Sequence, residues 1–181
     1  MKSCCFIGHR NTKLTDIELL DLKNIIKDLI VNHGVSRFLF GSKSNFNYIC
    51  HDIVTQLKED YPNISRCCYT CRSESCILEI EREKLQKSYR AIIKKDISLR
   101  GYEEEIEFKS KFNAGKASYI ERNYEMINAS DFWIFYYNES YLPTRRKGLK
   151  YLEISIQGNS GTKLSFKYAK SKKKNIMNIF K

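Results

Sequence analysis

Short apolar runs that halt at a glycine, each handing over to a stretch with helical periodicity, set the tightest limit on how this chain folds. Cys4 to Ile7 stops at Gly8, and Arg37-Phe38-Leu39-Phe40 stops at Gly41. Between them, Thr15 is placed to cap a helix in which Leu19, Leu22, Ile26, Leu29 and Ile30 share one face, and Gly34 ends it. Asn45 to Asp60 repeats the pattern, with Ile49, Ile53, Val54 and Leu57 inward and Tyr61-Pro62 closing it. Ile64 to Cys71 is expected to be a third strand. From Ala114, a helix is expected with Ala117, Ile120, Tyr124 and Ile127 on one face. Asp131 to Tyr137 is nearly continuous apolar sequence, as in a central strand covered on both faces. A loop from Asn138 to Asn159 follows. Gly161-Thr162 then opens a last helix, and Asn175 to Phe180 forms a last strand.

Strands alternating with helices at this spacing predict βαβ units. The expected fold is α/β and Rossmann-like, a mostly parallel sheet with helices on both faces. Its ligand sites lie at the carboxyl ends of the strands, where the strand order reverses. Cys76 to Lys94 has helical composition, and the acidic run Glu103 to Glu107 reads as an irregular or short-strand piece, better suited to a solvated loop than to a metal. Residues 72–112 are thus a possible insertion in a single domain spanning residues 1–181.

An apolar fraction of 42% and an aromatic fraction of 13% belong to a folded chain with a sizeable core. The apolar run before Gly8 is too short for a secretory signal, and none approaches the roughly 20 residues of a membrane helix. A cytoplasmic protein without membrane contact is expected. The net charge of +11 is unevenly placed. From Leu142 onward, eleven Lys and Arg stand against the single acid Glu153. Lys163, Lys167 and Lys170 recur at helical spacing opposite Leu164 and Tyr168, the pattern of a solvated helix face. That pattern is favoured over a nucleic-acid surface, while the charge can still draw phosphates toward a nearby pocket.

Seven cysteines include Cys67, Cys68, Cys71 and Cys76. Cys68-x-x-Cys71 is half of a zinc pattern, but no second pair stands at usable spacing, so buried thiols on a strand are the expectation.

Three turns suit an anion. In Gly8-His9-Arg10, glycine permits a close backbone approach, Arg10 can grip a phosphate with two hydrogen bonds, and His9 offers a proton or a stacking face. Gly41-Ser42-Lys43-Ser44 offers backbone N–H groups, hydroxyls and a charge, though it lacks the P-loop pattern. In Ser160-Gly161-Thr162, Ser160 caps the last helix, whose first-turn N–H groups then face a pocket. A doubly wound sheet brings all three to one edge. Arg122 and Asn123, off the apolar face of their helix, and Asn138 after the apolar strand are further candidates to line it.

The segments CCFIGHR, FLFGSKSNF, AGKASYIERNYEMINASDFWIFYY and SGTKLSFKYAKSKKKNIMNI resemble the YpsA-like branch of the SLOG superfamily, over most of the chain and most weakly between Cys71 and Lys111. The resemblance implies a Rossmann-like fold that binds nucleotides or nucleotide-derived ligands. It also implies a site lined by Gly8, Arg10, Gly41, Ser42, Ser160, Gly161 and Thr162, and dimers like those of many relatives. Related proteins include phosphoribohydrolases of the LOG type, nucleoside deoxyribosyltransferases and DNA-processing protein A, and some SLOG domains sense nucleotide signals in antiviral defence. The glycosidic enzymes among them carry a GTxxE motif, whereas this chain has Gly161-Thr162-Lys163-Leu164-Ser165. Serine can hydrogen-bond a ribose but cannot stabilise an oxocarbenium ion by charge. The expectation is therefore a sensor or sequestering module that binds a nucleotide-like molecule without cofactor, metal or catalysis. A nucleotide N-glycosidase or deoxyribosyltransferase, and a nucleic-acid-binding adaptor, are the alternatives.

Overall fold

β1 (Lys2–Gly8) carries Cys4 and Phe6 on one side and Cys5 and Ile7 on the other, all buried, so it needs cover on both faces. The computed structural model describes residues 1–41, 44–71, 101–109, 111, 116–141, 160–172 and 176–181. The chain continues through α1 (Asp16–Val31), β2 (Val35–Phe40), α2 (Asn45–Asp60), β3 (Ser65–Cys71) and β4 (Glu104–Phe108). It then forms α3 (Lys116–Asn128), β5 (Phe132–Tyr136), α4 (Gly161–Ser171) and β6 (Ile176–Asn178). The six strands form one sheet in the order β4-β3-β2-β1-β5-β6, every neighbouring pair parallel. The fold is α/β and Rossmann-like.

Strand alternation sorts the core into two layers. Cys4, Phe6, Phe38, Phe40, Ile134 and Tyr136 pack with Leu22, Ile26 and Leu29 of α1 and Phe46, Cys50, Val54 and Leu57 of α2. Cys5, Ile7, Leu39, Cys67, Tyr69, Trp133 and Phe135 pack with Met126 and Ile127 of α3 and Ala169 of α4. Each fully buried aromatic ring contributes about 1.5–3 kcal/mol by leaving water. Trp133 also donates its indole N–H to the Ile127 carbonyl at 3.0 Å, so its burial strands no donor.

Local chemistry starts the helices where the sequence places them. Thr15 and Glu18 form a reciprocal capping box on α1. Ser44 caps α2 by accepting from the Asn47 N–H at 3.1 Å. Gly34, just beyond α1, has φ +68°, a left-handed conformation that favours glycine.

The acidic run is an edge strand rather than a solvated loop. Arg37 holds Glu104 at 2.6 Å and Arg66 holds Glu103 at 2.6 Å, tying β4 and its approach to β2 and β3. Outward glutamates also discourage pairing with another chain's edge. Residues 72–100, with the expected helix over Cys76–Lys94, lie outside the described residues. Cys67, Cys68 and Cys71 are buried on β3. Three residues apart on a strand, Cys68 and Cys71 point to opposite faces of the sheet, so they cannot close together on one ion. Among the described residues, no helix is long and apolar enough to cross a membrane.

Candidate ligand site

From β1 the strand order runs outward through β2 and β3 to β4, then returns to β5 on the other flank of β1. The helices therefore change face between β1 and β5. In sheets of this topology the ligand crevice is expected at the carboxyl ends of those strands.

Gly8 closes β1. A Cβ there would sit 2.5 Å from the Cβ, Cγ and Cδ1 of Phe46, in the first turn of α2. The close approach expected of a ligand is thus made by Phe46. The Asn45 N–H donates to the Arg10 carbonyl at 3.0 Å and fixes the start of α2 over the β1 turn. The Arg10 side chain is exposed at this edge.

Gly41 closes β2. Its N–H donates to Asn47 Oδ1 at 3.3 Å. A Cβ at Gly41 would meet Arg122 Nη2 at 2.8 Å and Cζ at 3.1 Å, so glycine here leaves room for a guanidinium. Ser42 and Lys43 lie outside the described residues.

Arg122 is 4% exposed, which corrects its expected place off the packed face of α3. The buried stripe is Ser118, Arg122 and Met126, spaced by four, with Ile127 beside it. Tyr124 instead stacks on Tyr168 of α4 at 4.0 Å. α3 therefore has two packed sides, one toward the sheet and one toward α4. The sheet-facing side turns polar as it nears the strand ends, so hydrophobicity alone points to the wrong side. Arg122 Nη2 donates to Asn123 Oδ1 at 3.0 Å, and the guanidinium lies 5.4 Å over the Tyr119 ring.

Asn123 carries the network to α4 by donating its amide to the Ser165 hydroxyl at 3.1 Å. Ser165 is fully buried and donates to the Gly161 carbonyl at 2.9 Å. The hydroxyl expected to meet a ribose is spent on joining two helices. Ser160 caps α4, accepting from the Lys163 N–H at 3.0 Å, and Thr162 is buried in the first turn. Both agree with the sequence.

His9 sits between the ends of β1 and β5 and is 2% exposed. The Asn138 N–H donates to its Nε2 at 3.0 Å. Tyr141 stacks on the ring at 3.8 Å with planes 17° apart. Burial lowers the imidazole from 6.5 to about 4, outweighing the hydrogen bond to the Asn138 backbone that would raise it. His9 is thus neutral at neutral pH and offers a stacking face and a hydrogen bond, not a charge. Asn138 contributes its main chain, while its Oδ1 accepts from the Ser140 N–H at 2.8 Å.

Two clusters result, one joining Gly41, Arg122, Asn123, Ser165 and Gly161, the other joining His9, Asn138 and Tyr141. Neither a protein-family model nor a curated protein matches the chain. Buried polar residues at this edge are His9, Thr12, Ser44, Asn47, Ser118, Arg122, Thr162 and Ser165, together with the carboxylate of Glu18, which is engaged in the capping box of α1. Such a lining can hold an anion by charge and backbone dipoles.

Asn47, Phe46, Tyr119 and Tyr141 did not stand out in the sequence. Asn47 was legible as the third residue after a capping serine, but Tyr141 meets His9 only through the fold.

Proposed function

We propose that the chain binds a nucleotide or nucleotide-derived ligand in the crevice at the carboxyl ends of β1, β2 and β5, and holds it without cleaving it. The observation that carries this reading is the guanidinium of Arg122, buried against the glycine that ends β2. A planar cation kept at the crevice by packing binds phosphate with little loss of freedom. The first turns of α2 and α4 add positive dipole ends at the same edge. The commitment of Ser165 to Asn123 and Gly161 weighs against a glycosidic reaction here. Lys170 and Lys172 each lie 4.9 Å over a ring of their own helix, which favours a solvated α4 face over a nucleic-acid surface.

Thermal unfolding with AMP, GMP, CMP, UMP, cyclic AMP and ADP-ribose tests the reading. At least one should raise Tm, and Arg122→Lys, which keeps charge but loses the planar fork, should reduce the rise. Absence of a shift across the whole panel would sink the proposal. Release of free base on prolonged incubation would replace it with the enzymatic alternative.

A further inference from the structure

His9 holds a hydrogen-bonding atom that the chain does not use. Nε2 is engaged by the Asn138 main chain, which offers its N–H at 3.0 Å and its carbonyl at 3.2 Å, so Nδ1 is the donor in one tautomer and the acceptor in the other. Nδ1 is buried and has no hydrogen-bond partner. A buried polar nitrogen left unmatched costs about 1–3 kcal/mol, and native structures seldom keep one without a use. The surroundings are aromatic. Tyr141 lies over the ring at 3.8 Å and Tyr137 tilts toward it at 5.9 Å, itself stacked on Phe166 at 4.4 Å. The ring is also neutral, whereas the guanidinium of Arg122, on α3 against the end of β2, is the group suited to phosphate.

We propose that His9 reads the nucleobase, its Nδ1 hydrogen-bonding a polar atom on the edge of the base. This rests on the nucleotide-binding reading above and names the end of the nucleotide that lies against β1 and β5. Tyr141 covers one face of the imidazole, so the base meets Nδ1 edge-on, in the plane of the ring. A neutral ring nitrogen among aromatic walls suits the uncharged polar edge of a planar base. A dianionic phosphate would instead draw a second proton onto the ring against its burial.

Two isosteres separate this role from a structural one. Asparagine places its amide near the Nδ1 position, and glutamine places its amide near Nε2. Titration calorimetry with the four nucleoside monophosphates and with ribose 5-phosphate supplies the readout. His9→Gln should weaken the best-bound monophosphate by about ten-fold, the loss of one good hydrogen bond. His9→Asn should stay within about three-fold of the unaltered chain. Ribose 5-phosphate, lacking a base, should bind the unaltered chain and His9→Gln alike. The opposite order of the two variants would mean that the Asn138 contact is what matters and would overturn the proposal. An equal loss for ribose 5-phosphate would assign His9 to the sugar-phosphate end and overturn it as well. If the unaltered chain binds none of the monophosphates, the nucleotide reading falls and takes this one with it. Should either variant fail to fold, nitrogen-15 spectra of the unaltered chain decide. The Nδ1 resonance should move when the monophosphate is added. An unmoved Nδ1 resonance would overturn the proposal.

Discussion

Gly8 and Gly41 occupy equivalent places at the ends of neighbouring strands, yet they yield to different neighbours. The Cβ of Gly8→Ala would strike the root of the Phe46 side chain at 2.5 Å, where α2 leaves little room to move. Overpacking of this kind costs about 1–3 kcal/mol. Gly41→Ala meets the far end of a flexible arginine at 2.8 Å, which can swing away. Urea unfolding should find Gly8→Ala clearly destabilised and partly relieved by Phe46→Ala, because the two share one contact. Gly41→Ala should unfold close to the parent chain and instead lose nucleotide-induced stabilisation. Equal destabilisation by the two alanines would contradict this division. The positions of these glycines are legible in the sequence, since each ends an apolar run. Their reasons are not, because Phe46 and Arg122 reach them across 38 and 81 residues of chain respectively. His9 is similar: its clamp is a backbone group 129 residues away.

Elements with one buried face are read well from sequence, and elements with two are not. α2 spans Asn45–Asp60, as its period and its bounding residues predict. α3 packs on both the sheet and α4, so its apolar residues no longer mark a single side, and its buried arginine looks like surface. The strand at Glu104–Phe108 was obscured by its charges; Arg37 of β2 meets Glu104, and Arg66 of β3 meets Glu103 just before it, only once the sheet is assembled. The junction of α3 with α4 depends on Ser165 in a way a surface serine would not. Ser165→Ala leaves the Asn123 amide and the Gly161 carbonyl without that hydroxyl, at a cost of about 1–3 kcal/mol. An alanine variant with unchanged urea midpoint would refute this role.

At the scale of the molecule, acid acts in two steps. His9 titrates near 4 when folded and near 6.5 in the unfolded chain, so between those values the unfolded state binds more protons. Stability therefore falls as pH drops from about 6.5 to about 4. Glu103 is partly buried, which alone would raise it, but the Arg66 side chain and backbone, with Lys58, outweigh this and hold it at about 2. Its contribution is complete above its ordinary 4.5 and is lost toward 2. Urea midpoints measured across the acid range should decline through both windows. His9→Asn should flatten the upper one, and Glu103→Gln should flatten the lower one. A profile unchanged by either variant would show that other groups govern acid stability. The strand order itself was legible only as a class, since periodicity says that strands alternate with helices but not which strand flanks β1.

The buried sulfurs carry a consequence for how the molecule breathes. Cys4 and Cys5 lie on β1, Cys50 on α2, and Cys67, Cys68 and Cys71 on β3, all fully buried. Burial lifts the thiols of Cys4 and Cys50 far above their ordinary range and that of Cys67 to about 11, so almost no thiolate exists at neutral pH while the fold is closed. Alkylation of each sulfur must wait for its own strand or helix to open. The rates at the six positions, read by peptide mass, therefore rank the local opening of the central strand, one flanking helix and an outer strand without any label being introduced.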